Sequence, residues 1–472
     1  MATDTKISVV RGGTIWTGGP TPKLYHRADL VIEDGRVAII EPQYKGRADI
    51  EIDADGCLVA PGLINAHVHP GTSPRSRGVA EDVTLPKGAA YYHMTMPLQM
   101  YSSKVISPDD LATIIEWDCL AMLLGGATTI VAEQFGGADP WVRLVERLGF
   151  RCDLGITYPS TYASIGYYEN GRVVLGDPGD VGSGLTANLG LYDRWHGAFD
   201  DRLRVHLSPH GPDTVPEDVL RETKKQALAR DIHIHLHVAQ HLMEREVIEK
   251  RSGLSSVAYL NSIGFLGPDV LATHCTYLDH GDFAILAQTK TSCVHVAYRK
   301  AKEAITSTFW EFIDRGINVA LATDSYSHDL ILDLKFAAMI GKIRAGAAGK
   351  IAAEQVMTCA TWNAARALGR EDLGRLEPGA LGDVIVVNLS TPFNAPVFDP
   401  LKALIYYSNV ADIRVTLIGG RPVVQAGRVL GSDMESVRAH TNDCCRRLWR
   451  GAADNKVFPE GVMYPDPGFV CC

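Results

Sequence analysis

The sequence predicts an α/β protein: a (β/α)8 TIM-like barrel with a small β-sandwich domain built from both chain ends. Three observations predict it. From residue 61 onward, apolar runs of strand length alternate with longer helical stretches. Short strand-like segments with Asp-Gly and Gly-Gly turns fill residues 6–60, and the same texture returns after residue 382. Histidines and an aspartate then recur at the ends of the candidate strands.

The first 60 residues read as hairpins: "ISVVRGGTIWTG", "ADLVIEDGRVAII" and "ADIEIDADGCLVA". Eight buried strands follow, at 63–66, 128–132, 151–156, 204–208, 233–237, 270–273, 291–296 and 318–322. Helical patterns at 108–124, 216–229 and 304–315 lie between them. A doubly wound open sheet is the competing reading, but no GxGxxG turn follows the first strand. "GDVIVVNLS" and "IRVTLIGGRPVVQAGRVL" return to β texture and would complete the N-terminal unit. The expected division is 1–60 plus 382–432 for the sandwich, 61–381 for the barrel, and 433–472 for an extension with a helix over 433–450.

Composition narrows the function classes. The chain has 472 residues, 46% hydrophobic and 21% charged, as in an ordinary globular protein. A net charge of −9 without a basic run argues against nucleic acid as a partner. No uninterrupted apolar segment is long enough to span a bilayer, and "MATDTKISVV" does not read as a signal peptide. The ten cysteines are scattered, apart from two adjacent pairs, and form no CxxC. Reduced thiols and a cytoplasmic location are expected.

The chemistry lies in the histidines. "PGLINAHVHP" places His67 and His69 two residues apart, on one side of a strand, at its C-terminal mouth. Two imidazoles so placed can meet one metal ion, and barrel mouths are where active sites sit. In "HIHLHVAQH", His233, His235 and His237 share one face, but only His237 is near the mouth. His233 and His235 are read as interior support. His274 follows "VLAT" and Asp324 follows "NVALAT", again at strand ends. A carboxylate there can ligate a metal and accept a proton from water. Each residue alone is more often structural. Together, the five end four different strands in order and point to a metal site.

With these motifs the chain resembles the amidohydrolase superfamily, in its branch of triazine hydrolases and deaminases. Within it the chain is similar to phenylurea hydrolases and molinate hydrolase. The matching blocks run from about residue 8 to 430: "APGLINAHVHP", "GGATTIVAEQ", "SPHGPDTV", "HLHVAQ", "ATHCTYLD", "LATDS" and "TWNAARALGREDLGRLEPGALGDVIVVNL". The resemblance implies metal ligation by His67, His69, His237 and Asp324. It implies that His274 either ligates the metal or contacts the attacking water and the substrate carbonyl. Binuclear members add a carboxylated lysine on an early strand, and neither "TTIVAEQ" nor "RCDLGIT" contains one, so one divalent metal is expected. Zinc is the first choice; iron, manganese and cobalt suit the same ligands. A homo-oligomer is expected by analogy with the family.

The sequence also departs from the family pattern. Deaminases of the branch carry a glutamate where this chain has Gln240, and an amide has no comparable acid form. "CVHVAYRKAKE" replaces the usual segment after strand seven, leaving His295 as packing or function. The segment 71–101 contains Tyr91, Tyr92, His93, Met94, Met96, Met100 and Tyr101, read equally as an apolar pocket wall or as loop packing. His210, in "SPHGPDT", is a candidate for orienting substrate.

The leading expectation is therefore hydrolysis of an amide-like C–N or C–S bond in a small, mostly apolar molecule such as a phenylurea. Asp324 and His274 would be catalytic, with Gln240 orienting substrate or water. A urea, carbamate or thiocarbamate already offers a carbonyl and needs no ring protonation. The alternative is deamination or dechlorination of a purine, pterin or triazine ring. A non-catalytic scaffold is the third reading, and the full ligand set argues against it.

Overall fold

The computed structural model describes residues 6–77, 94–159, 167–169, 172–174, 179–306 and 308–458. The N-terminal strands are β1 (Ile7–Trp16), β2 (Leu24–Glu33), β3 (Arg36–Glu41), β4 (Ile50–Asp53) and β5 (Cys57–Pro61). The Asp34-Gly35 turn joins β2 to β3, with both residues at positive φ, as a tight hairpin of this kind requires.

The barrel strands follow. They are β6 (Leu63–Val68), β7 (Ala127–Gln134) and β8 (Arg151–Tyr158); then, after a short hairpin of β9 (Tyr167–Glu169) and β10 (Arg172–Val174), β11 (Leu203–Val205) and β12 (Ser208–Pro209). The second half is β13 (Ile234–Val238), β14 (Val270–His274), β15 (Ser292–His295) and β16 (Val319–Leu321). All pairings among the barrel strands are parallel. Strands β7, β8, β13 and β14 are buried at every residue, which explains their near-continuous apolar runs.

The barrel comprises two sheets, β6-β7-β8-β11/β12 and β13-β14-β15-β16. They meet in parallel at two seams, around Leu207 and Ile234, where the His235 and His237 N–H groups donate to the Leu207 and His210 carbonyls, and around Val68 and Asp324. The fourth strand, expected as one run over 204–208, is split at His206 and Leu207. On both sides of the break the chain pairs with β8, while at the break the Leu207 N–H donates to the His233 carbonyl on the other side.

The expected helix at 304–315 is shorter. Ala304 takes a left-handed φ of 54°, and the helix runs only over Phe309–Asp314. An unforeseen helix, Ala297–Lys302, precedes it. Its basic residues show no apolar period, although Arg299 and Lys300 are buried.

Strands β17 (Val384–Asn388), β18 (Ile413–Ile418), β19 (Arg421–Gln425) and β20 (Arg428–Val429) join β1–β5 in one nine-stranded sheet. Residues from both chain ends share a core that includes Val10, Ile15, Leu30, Val59, Val386 and Leu417. The final helix, Met434–Asp454, packs on the helix Pro108–Leu124.

Candidate metal centre and active site

The barrel brings all five expected metal-site residues together. His67, His69, His237, His274 and Asp324 are buried at the C-terminal ends of β6, β13, β14 and β16. His67 Nε2 and His69 Nε2 each lie 3.7 Å from Asp324 Oδ1, and His274 Nε2 lies 3.8 Å from Oδ2. His69 Nε2 and His237 Nε2 face each other at 3.1 Å. Two groupings have ligand atoms mutually within 4.8 Å: His67, His274 and Asp324, and His67, His69, Glu133 and His237.

The neighbours fix which nitrogens face the centre. A backbone carbonyl can only accept, so His237 Nδ1 donates to the His210 carbonyl at 2.7 Å and leaves Nε2 as a lone pair. His69 Nδ1 approaches the Glu133 carbonyl at 3.4 Å with the same result. Both ring nitrogens of His67 and of His274 are buried with no hydrogen-bond partner. Several lone pairs turned toward one another in a dry space are unfavourable unless a cation lies among them. The donor set therefore fits a divalent metal.

Backbone and charge support the same conclusion. His274 and Asp324 take left-handed φ values of 75° and 57°. Such conformations cost non-glycine residues roughly 1–3 kcal/mol each and concentrate at functional sites. Burial and neighbouring histidines keep His67 neutral, well below its ordinary pKa, and burial with His69 brings His237 down to about 3. Burial opposes ionisation of Asp324, but the Arg299 guanidinium and adjacent imidazoles hold its carboxyl down at about 2.

Two of these groups were not anticipated. Glu133, at the end of β7, lies with an oxygen 3.7 Å from His237 Nε2. Its signal in the sequence is an acid near the end of the second barrel strand. Arg299, fully buried, pairs directly with Asp324 and reaches Glu303 at 3.3 Å. It sits on the helix that the sequence did not reveal.

The other candidates are placed variously. His210 is buried beside the centre, its ring 4.7 Å from that of His237 and its Nδ1 2.9 Å from the Thr214 hydroxyl. Gln240 is buried in the turn after β13, where its backbone N–H donates to Glu244 at 2.8 Å. His295 stacks on Phe309 with ring centroids 5.5 Å apart, and belongs to neither grouping around the metal position. Tyr91, Tyr92 and His93 lie outside the described residues. Met94 packs with Cys444 and Leu448 of the final helix, and Tyr101 packs against that cluster.

Comparison with known proteins agrees with this picture. The amidohydrolase family profile matches residues 58–423. The chain is 31% identical to 5'-deoxyadenosine deaminase of Methanosarcina acetivorans over 435 residues, covering 91% of this chain and 95% of the relative. It is 29% identical to 5-methylthioadenosine/S-adenosylhomocysteine deaminase of Haloarcula marismortui, covering 91% and 96%. Among solved structures, a zinc-bound adenosine deaminase from Xanthomonas campestris superposes with a TM-score of 0.83, at 23% identity, covering 93% of this chain and 98% of that one. Atrazine chlorohydrolase from Arthrobacter aurescens TC1, complexed with zinc, gives 0.82 at 20% identity, covering 93% and 99%. With a family match over most of its length and a buried cluster fitted to a metal, the chain belongs to the amidohydrolase family, as a metal-dependent hydrolase of carbon–nitrogen bonds.

Proposed function

We propose that the protein is a hydrolytic deaminase that releases ammonia from the 6-amino group of an adenine nucleoside-type substrate. The carrying observation is its similarity, along nearly the whole chain, to deaminases of 5'-deoxyadenosine and of methylthioadenosine or S-adenosylhomocysteine. This reverses the preference drawn from Gln240 alone, which favoured ureas and carbamates.

In this reading His67, His69, His237 and Asp324 hold the metal, with His274 beside them. When bound, the metal acidifies a water and polarises the electrophilic carbon's surroundings. Asp324 is ionised at neutrality, so it can take the water's proton. His274, neutral through burial, hydrogen-bonds the adding oxygen. Water adds at the ring carbon as Asp324 takes one of its protons; the exocyclic C–N bond breaks as that proton passes to the departing ammonia, and the second water proton, left on the added oxygen, moves to the ring nitrogen as the carbonyl forms. Gln240 can hydrogen-bond a ring nitrogen but not protonate it. His210 borders the same space and is the proposed substrate-orienting group.

Hydrolysis of a urea, carbamate, thiocarbamate or amide, including xenobiotics of that kind, is the second reading, and Gln240 is the observation that favours it. Ammonia release from 5'-deoxyadenosine, methylthioadenosine, S-adenosylhomocysteine and adenosine, set against amine or thiol release from phenylureas and thiocarbamates, separates the two. Turnover of the ureas with none of the nucleosides would overturn the deaminase reading. The proposal extends to a cytoplasmic homo-oligomer acting on a free small molecule. Among the described residues no helix is long and apolar enough to cross a membrane. Light scattering on the purified protein measures the oligomer.

A further inference from the structure

We propose that Glu133, His206 and His235 hold a second divalent transition-metal ion, deeper in the barrel than the first, with the Glu133 carboxylate spanning the two positions. The three side chains are fully buried, and their ligand atoms lie within 4.8 Å of one another. They come from β7, from the break between β11 and β12, and from β13. None belongs to the five-residue set at the barrel mouth.

The orientation of the two imidazoles carries the inference. His206 Nδ1 lies 3.0 Å from Asp153 Oδ1. A carboxylate accepts, so Nδ1 carries the proton and Nε2 is a bare lone pair. His235 is bonded through Nε2 to the Thr273 hydroxyl at 2.5 Å, which turns Nδ1 inward. Both inward nitrogens, His206 Nε2 and His235 Nδ1, are buried without a hydrogen-bond partner. A histidine tied on one side to a carboxylate or hydroxyl and bare on the other is the arrangement of a metal ligand with its supporting shell.

Spacing and room agree. His235 Nδ1 lies 3.7 Å from Glu133 Oε1, while Glu133 Oε2 lies 3.7 Å from His237 Nε2 at the upper site. Donors around a tetrahedral ion with bonds of about 2.0–2.1 Å stand roughly 3.4 Å apart, so His235 and Glu133 are near that spacing, and His206, within 4.8 Å of both, must draw in to close the shell. Gly155 keeps the space open: a Cβ there would fall 2.5 Å from His206 Nε2. Two imidazoles and a carboxylate suit zinc, manganese or iron(II). The arrangement differs from the lysine-bridged pair of binuclear relatives, because its carboxylate comes from strand two and its lower histidines from strands four and five.

The test is metal content. Full-length protein, stripped and reloaded with zinc or with manganese, is expected to retain roughly two equivalents per chain, and His206→Gln roughly one. Crystals of the zinc-loaded wild type should show anomalous density at both positions, a readout that does not depend on any variant folding. In the manganese form, a carboxylate bridge should give a spin-coupled electron paramagnetic resonance signal that His206→Gln converts to that of an isolated ion. Wild-type protein that saturates at one equivalent, with only water density between Glu133, His206 and His235, overturns the inference. Full deaminase activity at one equivalent would leave the proposed function standing while removing the second site. Two equivalents without deamination would do the reverse.

Discussion

Asp324 is the residue on which the proposed chemistry turns. It is buried, ionised and adjacent to three histidines. Replacing it by Asn keeps the volume and removes the proton acceptor. A positioned general base is worth about 10²–10⁴-fold in rate, so Asp324→Asn should lower kcat by at least ~10²-fold. Metal content measured on the same sample separates loss of the base from loss of the ion. Gln240→Glu should act in the opposite direction. An acid at this position could protonate a ring nitrogen, so deamination should rise while turnover of any urea stays flat. A variant no faster on the nucleosides would remove residue 240 from the proton pathway. At this scale the sequence was informative wherever strand alternation and strand ends coincide, as at His67, His69, His237, His274 and Asp324. It marked Glu133 only as an acid near a strand end and said nothing of Arg299. A lone acid in an apolar strand and a lone arginine in a basic run gain meaning only when the barrel brings them beside Asp324 and the histidines. His206 and Asp153 were invisible for the same reason: their partnership crosses from one strand to another.

At the level of elements, the turn after β13 depends on one side chain. The Glu244 carboxylate accepts from the Ala239 N–H at 2.7 Å and from the Gln240 N–H at 2.8 Å. It thereby fixes the turn that carries Gln240, with Ala239 at a left-handed φ of 49°. Both Glu244 oxygens are engaged with the backbone, so this acid does not stand in for the one absent at Gln240. Glu244→Gln offers one acceptor for two donors. Leaving a buried N–H unpaired costs roughly 1–3 kcal/mol, so the urea midpoint should fall accordingly. If Gln240 orients substrate, KM should rise as well. The final helix has a different attachment. Asp110, in the first turn of Pro108–Leu124, meets His440 at 2.8 Å and Arg447 at 3.2 Å. Burial works against its ionisation, but the Ser107 N–H, Arg447 and His440 hold its carboxyl well below the usual range. A depressed folded-state pKa stabilises above the unfolded value of ~3.9 and ceases to do so as pH falls through the folded value. Asp110→Asn should therefore be less stable than wild type near neutrality, with the gap narrowing in urea titrations below ~pH 4. A constant gap across that range would mean that the pairing contributes nothing. The helix itself was legible at 433–450 from composition; its partner across the chain was not.

The whole molecule is a barrel of two sheets that meet at two seams; three backbone hydrogen bonds cross between 207–210 and 233–237, and the Asp324 N–H donates to the His67 carbonyl at the other. Alternating strands and helices made the architecture readable, because each buried strand needs a covering element. The seams were not readable, since they depend on which neighbour each strand finds. They would give a metal held there a structural role. The proposed ligands His67 and His69 belong to the β6 side of the molecule, whereas His237, His274 and Asp324 end strands of the other sheet. One ion held by these residues would therefore fasten the two sheets across a seam where the Asp324 N–H donates to the His67 carbonyl at 3.0 Å. Without the ion, lone pairs and an ionised carboxylate remain buried at that junction. A ligand present at 1,000 times its dissociation constant stabilises the folded state by about 4.1 kcal/mol. Stripping the protein with a chelator should therefore lower the thermal midpoint by several degrees, with recovery on adding zinc. Amide exchange should rise first in β6 and β16, the strands flanking the seam, while the nine-stranded sheet remains protected. Equal midpoints with and without chelator, on protein shown to have lost its metal, would mean that the barrel closes without the ion and that the metal serves chemistry alone.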